Sequence, residues 1–324
     1  MKKHLPLLVN AEVLEAEKRI RRFIRETPLE YSPYLSRLAD CHVYLKLENL
    51  QLTGSFKYRG AVNKILSLTG PEQKKGIITS SSGNHGAAFT YAAKNLGCKG
   101  TLYLPENISP AKLEPIQLYG AEDIVFYGTD VCDTEKFARQ AAENKGYLYI
   151  SAYNDAKIIG GQGTIAVELM RQMKHMDAVF VPIGGGGLMS GISGYLKTAA
   201  SCVKIIGCQP ENSPVMAESI KAGRIIEMVS KPTLADGSAG GIEPDSITFA
   251  VCREYVDEYV LVSEAQLEEA LKLSLEKNHM LIEGAAALSI AAFLKTKEQY
   301  KDNEVVLIIS GRKISIDNLR KILC

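Results

Sequence analysis

The sequence predicts an α/β fold with two open, twisted and mainly parallel sheets flanked by helices. Short β-branched or aromatic runs alternate with longer helical patterns along most of the chain. Most of these short runs are apolar throughout, which is typical of parallel strands buried on both faces. The chain has 324 residues, and this length favours two hydrophobic cores over one.

The strand and helix candidates follow from turn residues that bound each apolar run. The predicted strands are Val43–Leu47, Gly76–Thr79, Thr101–Leu104, Asp123–Tyr127, Ala178–Ile183, Val203–Cys208, Tyr259–Val262 and Val305–Ile309. Helices are predicted to start at Ser109-Pro110, where proline follows a cap, and at the capping box that opens with Ser263. A further helix is expected over Ala87–Leu96, and another near Leu188.

The strands fall into two series, which gives the domain prediction. Strands between about residues 76 and 150 form one compact series, and the remaining strands form a second. We therefore expect a small domain at residues 53–152 inserted into a large domain made of residues 1–52 and 153–324.

Composition excludes several classes of protein. With 38 basic and 37 acidic side chains the net charge is +1, which argues against a nucleic-acid binder. The seven cysteines are scattered and form no CxxC pair, so reduced thiols are expected rather than disulfides or a metal site. No apolar stretch is long enough for a membrane span, and the N-terminal apolar run is broken by Pro6. We expect a cytoplasmic protein with no membrane or nucleic-acid partner.

Four consecutive glycines, Gly184–Gly187, separate a predicted strand from a predicted helix. Bare backbone at the positive end of a helix dipole forms an anion site, so a phosphate is the favoured ligand. A tight strand-to-helix turn is the alternative, although one or two glycines would suffice for it. Neither a nucleotide P-loop nor a dinucleotide fingerprint fits, since Leu188-Met189-Ser190 follows the glycines.

A second loop, Ser80–Gly86, also lies between a strand and a helix. Its hydroxyls and amides are suited to a small carboxylate, and Asn84 is suited to a phenolate or carbonyl oxygen. A simple helix cap is an equally good interpretation of this loop alone. His85 does not indicate a serine hydrolase, because the chain contains no Gly-x-Ser-x-Gly motif.

A third segment places Lys57 between Phe56 and Tyr58, after a glycine turn at Gly54. A lysine between aromatic residues is expected to be partly desolvated, which lowers the pKa of its amine and makes it nucleophilic. A phosphate site, a carboxylate site and an activated lysine together indicate a pyridoxal phosphate enzyme acting on an amino acid.

The ordered motifs Gly54–Lys57, Ser82–His85, Gly184–Gly187 and Ser310-Gly311 resemble the threonine dehydratase and serine racemase family. The resemblance implies the fold of type II pyridoxal phosphate enzymes, similar to the tryptophan synthase β chain. It also implies a homodimer. The stretch from Ala235 to Pro244 resembles a bacterial branch that includes hydroxyectoine-utilising dehydratases.

The resemblance also implies roles for individual residues. Lys57 would bind the cofactor covalently and take the α-proton, and Ser82 would be a second catalytic acid or base. The cofactor-binding set would be Phe56, Lys57, Asn84, Gly184, Gly185, Gly186, Gly187, Leu188 and Ser310. The substrate carboxylate would lie against Ser81, Ser82, Gly83, Asn84 and His85. Further candidates are Asp236, Gly237, Glu283 and Arg312, although Asp236-Gly237 is equally well explained as a turn.

Two departures from the family pattern affect specificity and metal binding. Many members read Ser-Gly-Gly-Asn where this chain has Ser310-Gly311-Arg312-Lys313, which puts new positive charge near the cofactor. The acidic ligands of metal-activated members are replaced by Gln209 and Val215, so no metal site is expected.

The sequence therefore predicts a threonine or serine dehydratase that eliminates the β-hydroxyl of a hydroxy amino acid and releases a 2-oxo acid and ammonia. The alternatives are a serine racemase, a dehydratase of another hydroxylated amino acid such as a hydroxyectoine derivative, a β-replacement transferase, and a protein that only binds a phosphorylated metabolite.

Overall fold

Two separate β-sheets organise the chain in this computed structural model, which describes the backbone of residues 5–323 and their side chains except those of residues 5–7 and 111. Cys324, predicted to be a reduced thiol, lies outside the described residues. The strands within 5–323 are β1 (Leu29–Tyr31), β2 (His42–Lys46), β3 (Ile77–Ser80), β4 (Gly100–Leu104), β5 (Asp123–Phe126), β6 (Leu148–Tyr149), β7 (Ala178–Pro182), β8 (Lys204–Pro210), β9 (Glu258–Val262) and β10 (Glu304–Ile308).

Helices surround both sheets. They are α1 (Leu5–Ile20), α2 (Pro33–Ala39), α3 (Lys57–Leu66), α4 (Gly70–Lys75), α5 (Asn84–Asn95), α6 (Pro110–Leu118), α7 (Val131–Lys145), α8 (Ala156–Gln172), α9 (Gly187–Ala199), α10 (Val215–Ala222), α11 (Ile247–Tyr255), α12 (Glu264–Lys277), α13 (Gly284–Thr296) and α14 (Ile316–Leu323). Short 3-10 turns occur at Glu48–Leu50, Asp236–Ser238 and Lys297–Tyr300.

The larger sheet has the strand order β1-β2-β10-β7-β8-β9, and all of its pairs are parallel except β1 with β2. Alternate residues of β7 enter different cores. Phe180 packs in the core formed with α12 and α13, whereas Val179 and Val181 pack in the core formed with α8 and α9. Burial on both faces explains why this strand is apolar throughout.

The smaller sheet has the order β5-β4-β3-β6 and is parallel throughout. Of its two central strands, β3 is also covered on both sides, since Ile77 and Ile78 belong to different hydrophobic clusters. The predicted fold class is confirmed. All four strands of this sheet fall inside the predicted small domain, residues 53–152. The domain boundaries themselves remain a prediction.

All eight predicted strands form, with ends shifted by no more than two residues. Two strands were missed, the three-residue β1 and the two-residue β6, because such short segments show no periodicity. The Ser263 capping box is present, with Ser263 and Gln266 each bonding the other's backbone. The predicted start of helix Ala87–Leu96 was wrong. The helix begins at Asn84, so Asn84 and His85 lie in its first turn.

Candidate active site

Lys57 is the first residue of α3, and its position depends on the end of the larger sheet. Phe56 N donates to Ser310 O at 3.1 Å, and Arg312 N donates to Gly54 O at 3.1 Å. Ser55 and Gly311 form an isolated antiparallel bridge between these hydrogen bonds. The lysine loop is therefore held against the segment that follows β10, and Ser310 is buried there, 2% exposed.

The Lys57 amine donates to the carbonyl oxygen of Ala152 at 2.9 Å. Burial lowers the pKa of Lys57 to about 8, and the nearby Glu283 carboxylate opposes this effect. Lys57 Nζ also lies 5.3 Å from the centre of the Phe56 ring. The prediction that an aromatic neighbourhood and desolvation activate this lysine agrees with this geometry.

The serine loop connects β3 to α5. The first-turn N–H groups of Asn84, His85 and Gly86 point out of the helix end and have no intrahelical acceptor. A Cβ on Gly86 would lie 2.0 Å from Ser81 O, so only glycine permits this close turn. Ser81 and Ser82 are half-buried and directly precede the helix start, an arrangement that suits a small anion.

His85 differs from the other loop residues. Its Nε2 lies 3.1 Å from Thr79 Oγ1 and 3.4 Å from Ile150 O, in the interior of the smaller sheet. Burial and the positive charge of Lys57 lower the pKa of His85 to about 3, so the ring is neutral. Its predicted role at the substrate carboxylate can therefore involve its backbone N–H, whereas its imidazole is bound inside the domain.

The glycine loop connects β7 to α9, with Gly186 as the N-cap at φ +87°. A Cβ on Gly185 would lie 2.5 Å from the Tyr153 ring, and one on Gly184 would lie 3.0 Å from Ser238. Thr248 Oγ1 donates to Gly185 O at 2.6 Å and holds the loop from the other side. Leu188 follows in the first turn of α9, so its N–H lacks an intrahelical acceptor.

Glu283 lies at the centre of the site and connects its parts. Asn84 Nδ2 donates to both Glu283 oxygens at 2.9 Å, and Lys313 N donates to Glu283 Oε2 at 3.1 Å. Burial raises the pKa of Glu283 to about 7, and the Asn84 hydrogen bond opposes this effect. A Cβ on Gly311 would lie 2.5 Å from Glu283 Oε1, so the glycine gives this carboxylate its space.

The remaining candidates lie at the edge of the site. Gly237 is near Glu283, since a Cβ there would be 3.8 Å from Glu283 Oε1. The Asp236 side chain is exposed and lies 3.7 Å from Lys112 of α6, so its carboxylate faces the neighbouring helix. Arg312 is exposed, and its side chain packs over Gly54.

The chain matches the sequence model of the pyridoxal-phosphate dependent enzymes over residues 20–311. It belongs to this family.

Relatives within the family agree with the resemblance seen in the motifs. The catabolic L-threonine dehydratase of Escherichia coli is 38% identical over 98% of this chain and 96% of its own length. The processed form of threonine deaminase isoform 2 from Solanum lycopersicum is 32% identical, with a TM-score of 0.93 over 98% of this chain and 92% of that one. Maize serine racemase is 30% identical, with a TM-score of 0.91 over 97% and 96% of the two chains. The predicted family and cofactor are confirmed.

The residues of this family member fit pyridoxal phosphate. Each of the four glycines would bring a Cβ to 3.0 Å or less from a neighbour, so the loop is bare backbone at a helix start, suited to a phosphate. Lys57 would supply an amine for the cofactor aldehyde. Asn84 Oδ1 is buried and has no hydrogen-bond partner among the described residues, which leaves a polar atom for a bound group to satisfy.

Sequence reasoning missed several residues of the site in this pyridoxal phosphate enzyme. Tyr153 packs against Gly185, and its hydroxyl accepts a hydrogen bond from Glu243 N at 2.9 Å. Glu243 also accepts from Asn154 Nδ2 at 3.0 Å, which holds the segment that carries Ala152 and Tyr153. No motif marks Tyr153, since only the fold brings the segment after β6 against the glycine loop.

We predict that activity does not require a divalent cation at the position used by metal-activated relatives. Gln209 Oε1 accepts from Ala217 N at 2.8 Å, and Val215 begins α10 with a buried side chain that has no oxygen. Glu211 Oε1 lies 3.4 Å from Lys295 Nζ, and this ion pair competes with a metal ion for the carboxylate. Hard cations need several oxygen ligands. Treatment with a chelator should change the turnover number by less than about twofold, and a saturable recovery with magnesium or calcium would contradict the prediction.

Proposed function

We propose that this pyridoxal phosphate-dependent enzyme is an ammonia-lyase that converts threonine or serine to a 2-oxo acid and ammonia. The observation that carries the proposal is the position of Lys57, whose desolvated amine donates to Ala152 O, next to the Tyr153 that packs on the glycine loop. The charge of Lys57 also interacts with Glu283, which accepts from Asn84 at the start of α5. Similarity to threonine dehydratases over nearly the whole chain supports the choice of reaction. Equal yields of ammonia and 2-oxo acid from L-threonine or L-serine are the expected result.

The bound cofactor draws electrons away from the substrate's Cα and so acidifies the Cα–H bond. Lys57 Nζ accepts that proton, because burial keeps a fraction of the amine uncharged near neutral pH. The serine loop and the free N–H groups of α5 hold the substrate carboxylate. Ser310 would place a neutral hydroxyl, and not a carboxylate, at the pyridine nitrogen of the cofactor. That nitrogen would then stay largely unprotonated, which favours loss of the β-hydroxyl over other outcomes.

Serine racemisation is the second candidate function, and similarity to maize serine racemase favours it. Racemisation needs an acid or base in addition to Lys57. Ser82, half-buried in the loop before α5, is the residue we assign to this role.

Ser82→Ala should suppress racemisation of serine more than it suppresses ammonia release. Loss of an acid or base costs about 10² to 10⁴ in rate, so the two activities should separate clearly. Chiral chromatography of serine and an ammonia assay measure both in the same reaction. Ser81→Ala, one residue away in the same loop, removes a hydroxyl assigned to the substrate carboxylate and should lower both activities alike, which makes it the comparison variant. Equal loss of both activities in Ser82→Ala would give Ser82 a shared role, and the racemase assignment would then fail.

We further propose that the protein is cytoplasmic and that it forms a homodimer. We also propose that residues 53–152 move as a separate small domain. None of the helices within residues 5–323 is both long and apolar enough to cross a bilayer. The described cysteines are free thiols, as in a reducing compartment. Light scattering of the purified protein tests the dimer, and hydrogen exchange with and without substrate tests the domain motion.

A further inference from the structure

Glu243 lies in the loop between the 3-10 turn at residues 236–238 and α11, and it contacts the connection between β6 and α8, residues 150–155. Its Oε1 accepts from Ser151 Oγ at 3.3 Å, and its Oε2 accepts from Asn154 Nδ2 at 3.0 Å. The backbone N–H of Glu243 donates to the hydroxyl of Tyr153 at 2.9 Å. Glu243 therefore fixes the connection on both sides of Tyr153.

The Ser151 hydroxyl extends this restraint to the backbone of Tyr153. Ser151 Oγ donates to Glu243 Oε1 and accepts from the N–H of Tyr153 at 3.4 Å. It also accepts from Asn154 N at 3.0 Å, and Asn154 Oδ1 accepts from Ile247 N at the start of α11. Hydrogen bonds in such a chain strengthen one another, because each group polarises the next. The position of Tyr153 therefore depends on the Glu243 carboxylate.

Tyr153 packs directly on the glycine loop. A Cβ on Gly185 would lie 2.5 Å from the Tyr153 ring, and one on Gly187 would lie 3.0 Å from its backbone. Thr248 holds the loop from the other side through the carbonyl oxygen of Gly185. Glycine backbone has few conformational restrictions of its own, so the shape of the loop depends on these neighbours. A phosphate bound by backbone N–H groups needs that shape to be fixed.

Glu243 also contacts the smaller sheet. Its Oε1 lies 3.0 Å from Arg139 Nη2 on α7, a helix that packs on this sheet. The guanidinium of Arg139 lies 4.2 Å from the centre of the Tyr149 ring and pairs with Glu135 at 2.7 Å. The Glu243 carboxylate therefore connects the smaller sheet to the glycine loop of the larger sheet.

We propose that Glu243 is a positioning residue for the cofactor phosphate, and that it acts by setting the place of Tyr153 against the glycine loop. The effect should be selective for the phosphate, because the aldehyde of the cofactor is bound by Lys57, which belongs to α3. The inference rests on the proposed ammonia-lyase function for its kinetic readout alone, since cofactor binding can be measured without turnover.

Glu243→Gln tests the proposal because it keeps the size of the side chain and removes one acceptor. Three side chains, Arg139, Ser151 and Asn154, direct donors at two carboxylate oxygens. A glutamine amide has one acceptor oxygen and one NH₂ donor, so at least one of these donors would face another donor. The change should weaken binding of pyridoxal phosphate about 10- to 100-fold, as expected for loss of a hydrogen bond to a charged group.

The decisive measurement compares two compounds with the same aldehyde. Full-length protein is dialysed to equilibrium against graded pyridoxal phosphate and, separately, against pyridoxal, which has no phosphate. Absorbance of the bound compound gives a dissociation constant for each. In Glu243→Gln the constant for pyridoxal phosphate should rise about 10- to 100-fold and that for pyridoxal less than about threefold. With saturating pyridoxal phosphate, kcat for ammonia release from L-threonine should return to within about twofold of the wild-type value.

Ser151→Ala is a second variant that breaks the same chain of hydrogen bonds at the hydroxyl. It leaves the Glu243 carboxylate in place and should still weaken pyridoxal phosphate more than pyridoxal. If Glu243→Gln does not fold, this variant decides the proposal.

Glu135→Gln is the matched control. Glu135 pairs with the same guanidinium as Glu243, but no side-chain hydrogen bond among the described residues joins it to the connection between β6 and α8. Both dissociation constants should stay within about twofold of wild type in this variant.

A double-variant cycle tests whether Glu243 acts through Tyr153. Tyr153→Ala removes the ring from the glycine loop and should itself weaken pyridoxal phosphate. In the Tyr153→Ala background, Glu243→Gln should add less than about a twofold effect, because residues that act through one contact are not additive.

The outcomes separate this inference from the proposed function. Equal losses for pyridoxal phosphate and pyridoxal in Glu243→Gln, or unchanged binding of both, overturn the positioning role. A full additional effect of Glu243→Gln in the Tyr153→Ala background overturns the route through Tyr153. A loss selective for pyridoxal phosphate, together with no ammonia from threonine or serine in the wild type, supports the role of Glu243 and overturns the ammonia-lyase proposal.

Discussion

Lys57→Ala should reduce ammonia release by about 10⁴-fold or more, because the change removes both the amine that binds the cofactor and the base that takes the substrate proton. The lost side chain leaves Ala152 O without its donor. It does not alter the glycine loop, so a weak affinity for the cofactor should remain. Absorbance of the bound cofactor and a coupled ammonia assay measure the two effects separately.

The matched control for this prediction is Lys74→Ala, an exposed lysine of α4 in the same predicted domain, which should keep full activity. Borohydride treatment of the wild type followed by peptide mapping should place the cofactor on the peptide that contains Lys57. Cofactor found on another lysine, or substantial turnover by Lys57→Ala, would falsify the assignment.

Arg59→Ala should lower the free energy of unfolding by about 3 to 5 kcal/mol, the largest stability effect we expect from one substitution. Arg59 is fully buried and lies two residues after Lys57 in α3. Its guanidinium donates to both oxygens of Glu48 at 2.7 and 2.8 Å and to both oxygens of Glu168 at 2.7 and 2.9 Å. Without Arg59, the buried Glu48 has no ion pair among the described residues. Glu168 keeps Lys46 at 2.6 Å and Arg21 at 2.9 Å.

The pH dependence of this network has a definite sign. Burial raises the pKa of Glu168, but Arg59 and Lys46 outweigh burial and hold it at about 2, below its usual 4.5. Because the folded-state pKa is depressed, the stabilisation is present above about pH 4.5 and is lost as the pH falls toward 2. Arg59→Ala should therefore cost most stability near neutral pH and progressively less in acid.

Urea unfolding followed by circular dichroism measures the effect of Arg59→Ala. Lys272→Ala removes an exposed pair with Glu268 on α12 and should change stability by less than about 0.5 kcal/mol. An effect of Arg59→Ala as small as that of the control would show that the buried network does not stabilise the fold. The network also holds the start of α3, so we expect the Lys57 site to lose cofactor before the protein unfolds.

Much of the candidate site could be predicted from the order of the motifs along the sequence. Each of the three loops follows an apolar strand or a glycine turn, and local sequence is enough to indicate bare backbone, free hydroxyls or a flanked lysine. The helix after the serine loop was placed too late, since Asn84 and His85 are poor helix formers by propensity. Tertiary packing of α5 on β4 and α3 overrides that preference.

Glu283 shows what local sequence could not supply. Its position before α13 suggested at most proximity to the cofactor, and only the fold brings it within 2.9 Å of Asn84, which is 199 positions away in the chain. The same holds for His85, where the sequence suggested a ligand in the loop and the fold turns the imidazole onto Thr79 and Ile150.

The sequence by itself determined the strand pattern, the three loops and the family, because each depends on residues close together along the chain. The tertiary structure alone decided which groups meet. The ends of β3, β7 and β10 bring Asn84, the glycines and Ser310 to the segments around Lys57, and they place Glu283 against Asn84 and the backbone of Lys313. Long-range contacts of this kind depend on strand order and helix packing, which no local pattern encodes.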